Sequence, residues 1–395
     1  MKVAGIICEC NPLHGGHLYL MEQARLAGAE AVVCVMSGCF TQRGEAAVLE
    51  PQTRAQMILQ DGGGDAVFEL PFPYSAAGAE FFAAAGVSIL DRLGVDEIWF
   101  GSECGEIEPL RRAAELSLSD SFQQAYRQRC RGGSVGTAEG FLGLLREMGG
   151  METALSNDIL GIAYLKAILL RKSGMIPKTV KRQGSAYRET QLNETGFPSA
   201  SALRGAFHRE GIEGLTSYLS SASLRLVEEA VSAERAPASM SWAERGILAY
   251  FRLTPAEAFA SVPELSGGLG RRMAEVAHSA SSLEELVAGS VTKKYTEARV
   301  RRGILFAMLG IREADLREEP AYAVLLAANS VGCRFLADRR KRRSIDVVTC
   351  HGDLPRTPQA ERQIELTRRA FGLYGLTLPQ TVGAEVFLRR SSKIL

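Results

Sequence analysis

Two histidines three residues apart, His14 and His17, enclose Gly15 and Gly16 and follow Asn11, Pro12 and Leu13. Where a helix starts at such a point, its first turn carries unpaired backbone N–H groups and the positive end of the helix dipole, and both favour a phosphate. Imidazoles at this spacing sit on neighbouring positions of the turn and can donate to triphosphate oxygens as charge builds on a departing pyrophosphate. The glycine pair leaves the backbone uncovered. A bare His-x-x-His also arises as a capping or surface accident, so the weight rests on its setting. Residues 3–10 form an apolar run short enough for one buried strand, and residues 18–27 have helical periodicity.

Other residues could face the same ligand. Past the next strand, residues 37–45 combine glycines with hydroxyl, amide and guanidinium donors. Ser37 and Arg43 are candidates there for a small anionic substrate, because the arginine fork suits carboxylate or phosphate. An ordinary surface loop is the alternative. Ser199 can cap a helix that carries Ser201 and Arg204 in its first turns, a second phosphate-facing candidate. Asn157 opens a helical run and either caps it or donates to a ligand, the cap being favoured by sequence logic. Arg182 leaves a short strand, 180–182, that extends toward residues 183–187; it suits a phosphate, an adenine face or plain solvation. Glu69 precedes Pro71 at a strand end, where it could orient neighbours, bind a metal ion with the nucleotide, or serve as a structural cap. His208, His278 and His351 have no matching ligand set. The eight cysteines contain no Cys-x-x-Cys pair and most read as small buried apolar residues; Cys8 and Cys10 share one face of the first strand, but two ligands alone do not make a metal site, so no cysteine metal site is expected.

The elements that must position these groups alternate. Strands at 3–9, 31–36, 66–69 and 97–100 interleave with helices at 18–27, 51–60 and 76–93, which implies an α/β, Rossmann-like parallel sheet with crossover helices. Ligands gather at the carboxyl ends of such strands, where Asn11, His14, Ser37, Glu69 and Gly101 all fall. Residues 105–170 read as helical. An Ala/Ser/Glu stretch at 231–241 suggests a boundary between a first domain, 1–230, and a mostly α-helical C-terminal domain, 240–395.

Hydrophobic residues make up 46% of the 395-residue chain and charged ones 23%, an ordinary globular balance. No apolar run reaches membrane-spanning length and no basic leader is evident, so a cytoplasmic protein without membrane attachment is expected. The net charge of +1 conceals a basic region: residues 290–344 hold thirteen basic against six acidic side chains. Within it, residues 292–302 are the densest candidate for RNA contact. Lys293, Lys294, Arg299, Arg301 and Arg302 could neutralise phosphates while Tyr295 stacks on an unpaired base, with Lys294 and Arg301 on one helical stripe and Tyr295, Arg299 and Arg302 on another. A solvated basic face is the alternative, as it is for the run 339–343.

The order and spacing of eight segments, 5–20, 36–45, 65–71, 101–103, 156–162, 180–187, 199–204 and 292–302, resemble the bacterial tRNA(Met) cytidine acetate ligase family of the HIGH-type nucleotidyltransferase superfamily. The resemblance implies a HIGH-type catalytic domain over 1–230 and a helical tRNA-binding domain over 240–395. It implies that ATP and acetate form acetyl-adenylate and pyrophosphate, and that the acetyl group passes to the exocyclic amine of the wobble cytidine in the anticodon loop of elongator tRNA(Met), giving N4-acetylcytidine and AMP. By position, ATP would be held by Ile7, Cys8, Glu9, Cys10, Asn11, Pro12, Leu13, His14, Gly15, Gly16, His17, Leu18, Tyr19, Leu20, Gly101, Asn157 and Arg182, with Mg²⁺ accompanying it and His14 and His17 as the catalytic pair. The chain departs from the family pattern at Cys8, Cys10, the glycine pair and Pro51, where a lysine is common before Arg54. Two other readings use the same residues: an adenylyltransferase acting on a phosphorylated small molecule, which leaves the basic region without a role, and a non-catalytic RNA-binding protein, against which the intact His14, His17 and Arg204 argue.

Overall fold

A computed structural model describes residues 1–131, 137–151, 155–182, 197–389 and 391–395. Its strands are β1 (Val3–Cys8), β2 (Ala31–Ser37), β3 (Ala66–Leu70), β4 (Glu97–Ser102), β5 (Ile176–Lys181), β6 (Tyr322–Ala328), β7 (Asp346–Val348) and β8 (Lys393–Ile394). They form one sheet in the order β5-β4-β1-β2-β3-β6-β7, with β8 also paired to β6. From β5 to β3 all pairings are parallel. Every residue of β1, β2 and β3 is buried, as helices on both faces of a parallel sheet require.

The crossovers come from α1 (Gly15–Leu26), α2 (Pro51–Gln60) and α3 (Ala79–Leu93), with α4 (Ile107–Leu118), α5 (Asp120–Arg131), α6 (Thr137–Glu147) and α7 (Ser156–Arg171) between β4 and β5. Pro51 occupies the first position of α2, where its missing N–H costs nothing. Gly5 lets α3 approach β1, since a Cβ there would lie 2.8 Å from Leu90. After β5 follow α8 (Ala200–Glu210), α9 (Ser221–Ser232), α10 (Glu244–Leu253), α11 (Leu269–Ala277), α12 (Leu283–Ser290), α13 (Glu297–Leu309), α14 (Glu313–Arg317), α15 (Ser330–Arg339), α16 (Pro358–Gly375) and α17 (Glu385–Leu388). None of the described helices is long and apolar enough to cross a membrane.

Three differences from the sequence reading bear on the site. Helix α1 starts at Gly15, not at residue 18, because His14 caps it. Strand β5 starts at Ile176, before the expected residue 180; it is a half-exposed edge strand whose weak apolarity hid its first residues, and its expected extension through 183–187 lies outside the described residues. The sheet also crosses the expected boundary at 231–241: β6 pairs antiparallel with β3, and β7 and β8 pair with β6. A short apolar run such as residues 322–328 has no periodicity that separates strand from buried helix, so the sequence could not assign it. The C-terminal helices rest on loops at the carboxyl ends of β2 and β3. Phe72 meets Phe306 edge-on at 6.0 Å between ring centroids, and the Tyr374 hydroxyl donates to the Ala47 carbonyl at 2.9 Å.

Candidate active site

Strand β1 delivers the chain to α1 through a turn held from both sides. The Asn11 side-chain oxygen accepts from Val48 N at 2.8 Å and its carbonyl from Arg204 at 3.0 Å. His14, in extended backbone, accepts the Gly16 N–H at Nδ1 (3.1 Å), satisfying one of the unpaired donors at the helix start. Its ring lies 3.8 Å from that of His17, centroid to centroid. A Cβ on Gly15 would clash with the Phe197 ring at 2.3 Å, and one on Gly16 would press on the His14 side chain at 3.0 Å.

The turn opens on a cavity of about 220 Å³ at the carboxyl ends of β1, β4 and β5. Of the expected residues, Ile7, Cys8, Glu9, Cys10, Asn11, His14, Gly16, His17, Tyr19, Leu20, Gly101, Asn157, Arg182, Arg43, Ser201 and Arg204 line it. Pro12, Leu13, Gly15 and Leu18 are absent from the wall and back the turn instead. Ser37 is also absent: β2 runs one residue longer than expected, which puts Ser37 on the face of Val33 and Val35 with its side chain fully buried. Gln42 of the 37–45 loop and the helix-capping Ser199 also line it, and Ile6, Met21, Phe82, Phe100, Leu160, Tyr164, Val180, Phe197, Pro198 and Ala200 complete the wall without having been named as candidates. Their apolar character gave no signal distinct from core.

Burial lowers both histidines: His14 is well below the ordinary range, and His17 is brought to about 4, with Arg182 adding to the effect and Cys8 opposing it at His17. Both rings are neutral at pH 7, and the buried Nδ1 of His17 has no hydrogen-bond partner among the described residues. A polyanion beside them favours the protonated forms. In the free protein the depressed His17 costs stability as pH falls from the unfolded value of about 6.5 toward 4, by about 2 kcal/mol after allowance for partial solvent contact. Melting curves without nucleotide should therefore shift down across that interval, and a nonhydrolysable ATP analogue should shrink the shift. An unchanged pH profile with the analogue would contradict phosphate contact at the imidazoles.

Two candidates far apart in sequence converge here. Arg43 donates to Ser201 Oγ at 3.0 Å and Arg204 to the same oxygen at 3.2 Å, while Arg204 lies 3.6 Å from Glu45. Glu9 accepts the Gln42 N–H at 2.9 Å, and burial raises its carboxyl. Behind the turn, the fully buried Arg54 donates to the carbonyls of Leu49 (3.0 Å), Glu9 (2.6 Å), Ser37 (2.9 Å) and Gly38. It thereby ties the ends of β1 and β2 together. Burial pushes Glu69 up to about 7 against the pull of Arg54. Glu69 lines a separate cavity of about 70 Å³ with Gln52 and Tyr322, and it is not placed to share a metal with a ligand beside the histidines.

Asn157 does not cap α7 as expected. Asp158 accepts the Leu155 N–H (3.2 Å), and Glu103, at the end of β4, accepts from the backbone of Asn157 and Asp158 (3.1 and 2.9 Å). The Asn157 side chain donates to Glu103 at 2.6 Å and lines the cavity. The acidic residue after the β4 glycine was visible in the sequence; its reach across 54 residues was not.

The basic segment 292–302 differs most from expectation. Lys294 and Tyr295 precede α13, so the two helical stripes do not form. Tyr295 is buried at 8% exposure, donates its hydroxyl to the Gly267 carbonyl, and is flanked by Lys294 and Arg299 at 5.1 and 5.3 Å from its ring centroid, so its face is not offered to a base. Arg299 donates to the Glu264 and Ser266 carbonyls, Arg302 is paired with Glu264 (2.9 Å), and Arg301 with Glu284 and Glu297 (both 2.9 Å). Only Lys293 of the six is an exposed cation with no ion pair among the described residues. In the run 339–343, Arg339 is buried against Asp96, while residues 340–342 are exposed.

A family model described as HIGH Nucleotidyl Transferase matches residues 1–385. The tRNA(Met) cytidine acetate ligase of Caldanaerobacter subterraneus subsp. tengcongensis is 33% identical over 88% of each chain. That of Acetivibrio thermocellus is 33% identical over 95% of this chain and 94% of its own. The crystal structure of Thermotoga maritima TmcAL bound with alpha-thio ATP superposes with a TM-score of 0.89 at 27% identity, covering both chains fully.

Proposed function

We infer, from the premise that this chain belongs to the HIGH nucleotidyl transferase family and within it to the tRNA(Met) cytidine acetate ligases, that it activates acetate with ATP and transfers the acetyl group to the exocyclic amine of the wobble cytidine of elongator tRNA(Met). The observation that carries this reading is the pair of neutral imidazoles at the start of α1, sharing one cavity with Arg182 and the Arg43–Ser201–Arg204 cluster.

An acetate oxygen attacks the α-phosphorus and the bond to pyrophosphate breaks. The N–H groups at the start of α1, the two imidazoles and Arg182 meet the charge that grows on the departing oxygens. Arg43 and Arg204, braced on Ser201, supply a second anchor for anionic oxygen. The cytidine amine then attacks the carbonyl of the mixed anhydride and AMP leaves. Adenylate is already a good leaving group, so positioning dominates this step. Mg²⁺ would enter with the triphosphate and offset its charge; Glu9 is the carboxyl of the cavity wall that fits it, and no cluster of three or more metal-ligating side chains is present among the described residues. The adenylyltransferase and non-catalytic readings receive no support from the relatives' names.

The test is incubation with ATP, Mg²⁺, labelled acetate and several tRNA transcripts, which should place label on one cytidine of elongator tRNA(Met). Label on none of the transcripts refutes the reading. Lys293, exposed and without an ion pair among the described residues, is the residue of segment 292–302 best placed to meet an RNA phosphate. Lys293→Ala should raise KM for tRNA about two- to fivefold and lower the salt dependence of binding by roughly one charge, with acetate-dependent pyrophosphate exchange unaltered.

A further inference from the structure

Glu103 does not line the cavity, yet it decides what one wall of it presents. Its carboxylate takes up both the backbone at the start of α7 and the Asn157 side chain. Oε2 accepts the backbone N–H groups of Asn157 (3.1 Å) and Asp158 (2.9 Å), and Oε1 accepts the side-chain amide of Asn157 at 2.6 Å. A carboxylate only accepts, so the Asn157 amide nitrogen must face Glu103, which leaves the amide oxygen as the acceptor that this cavity-lining side chain can offer a ligand. Asp158 locks the partner in turn by accepting the N–H groups of Glu103 (2.9 Å) and Cys104 (3.1 Å).

This part of the wall suits a base. Gly101, Leu160, Val180 and Phe100 are apolar or uncovered, with the aliphatic part of Arg182 beside Gly101, whereas the imidazoles, Arg43 and Arg204 that suit phosphates belong to the start of α1, the loop after β2 and α8. We propose that Glu103 is a positioning residue that sets nucleobase specificity: it holds Asn157 so that an acceptor meets the purine 6-position, admitting a 6-amino purine and rejecting a 6-oxo purine. The proposal rests on the reading of this cavity as the ATP site. A 6-amino group donates to the amide oxygen, while a 6-oxo group places two acceptors against each other and leaves both unpaired.

The discriminating variant is Glu103→Gln. Its oxygen keeps the two backbone donors and its new amide N–H₂ faces Asn157, which then turns over and offers a donor to the base. Calorimetric titration with ATP and with ITP reads the outcome without acetate. The wild type should prefer ATP by about tenfold or more; E103Q should bring the two within about threefold or invert them; E103Q/N157D, which restores an acceptor facing the base, should recover the ATP preference. E103Q should melt within a few degrees of the wild type because the start of α7 stays capped. Should it fail to fold, Asn157→Ala, which leaves Glu103 capping α7, gives an independent reading and should also collapse the ratio. Equal weakening of both nucleotides by E103Q, an ATP preference retained in N157A, or a wild type that binds ATP and ITP alike would each overturn the proposal. A wild type that prefers ATP but catalyses no acetate-dependent pyrophosphate exchange would refute the proposed function and leave this inference standing.

Discussion

His17→Ala is expected to slow acetate-dependent pyrophosphate exchange by about 10²–10³-fold, the cost of removing one donor aimed at charge that develops in the transition state. The ring suits this role because it is held neutral, its Nδ1 is buried without a partner among the described residues, and it lies against His14 in the turn where α1 begins. None of these features supports the fold. The alanine variant should therefore melt no lower than the wild type at pH 7, and it should lose part of the acid destabilisation between pH 6.5 and 4, since the group that resists protonation is gone. His14→Ala differs, because the Gly16 N–H also loses its acceptor; it should forfeit about 1 kcal/mol of stability in addition to activity. Exchange rates within threefold of the wild type for H17A would show that the imidazole is not a phosphate donor.

Arg54→Met should be among the most damaging substitutions in the chain. Arg54 is fully buried and its guanidinium serves the carbonyls of Leu49, Glu9, Ser37 and Gly38. Methionine fills much of the volume but takes the guanidinium donors from four carbonyls, three of them buried, and leaves Glu69 without its neighbouring positive charge. A loss of about 3–5 kcal/mol is expected, read as a large drop in urea midpoint. Because Glu9 and Asn11 belong to the stretch that Arg54 ties to β2, whatever protein still folds should bind ATP at least tenfold more weakly. Conversely, Arg54→Lys keeps the charge but reaches fewer of the carbonyls, so it should fall between the two. A methionine variant with wild-type stability and affinity would show that the four carbonyls find other partners.

The loss of the expected RNA stripes has a physical lesson. Along residues 292–302 the residue types suggested a phosphate-binding face, but charge in a sequence does not reveal whether its partner is internal. Glu264, Glu284 and Glu297 take up Arg302 and Arg301, and the Gly267 and Ser266 carbonyls take up Tyr295 and Arg299. Four of these acceptors lie at separations no helical wheel displays. Segment 292–302 thereby becomes a brace between the C-terminal helices and the Gln42 loop, whose carbonyl accepts from Arg302 at 3.3 Å.

What the amino-acid sequence determined alone was local: the strand, turn and helix around His14 and His17, the alternation that places these residues at the carboxyl end of a parallel sheet, and the serine cap before Arg204, whose oxygen accepts the Ala202 N–H at 3.1 Å. Each follows from hydrogen bonds or burial within a few residues, where the order of side chains dictates geometry. Tertiary structure decided the rest. It brought Arg43 to Ser201 across 158 residues and Glu103 to Asn157 across 54. It also turned Ser37 away from the cavity, buried Tyr295, and added β6 to the sheet from beyond the expected boundary. These outcomes depend on which distant groups satisfy a buried donor or acceptor, and that pairing exists only once the chain has closed on itself.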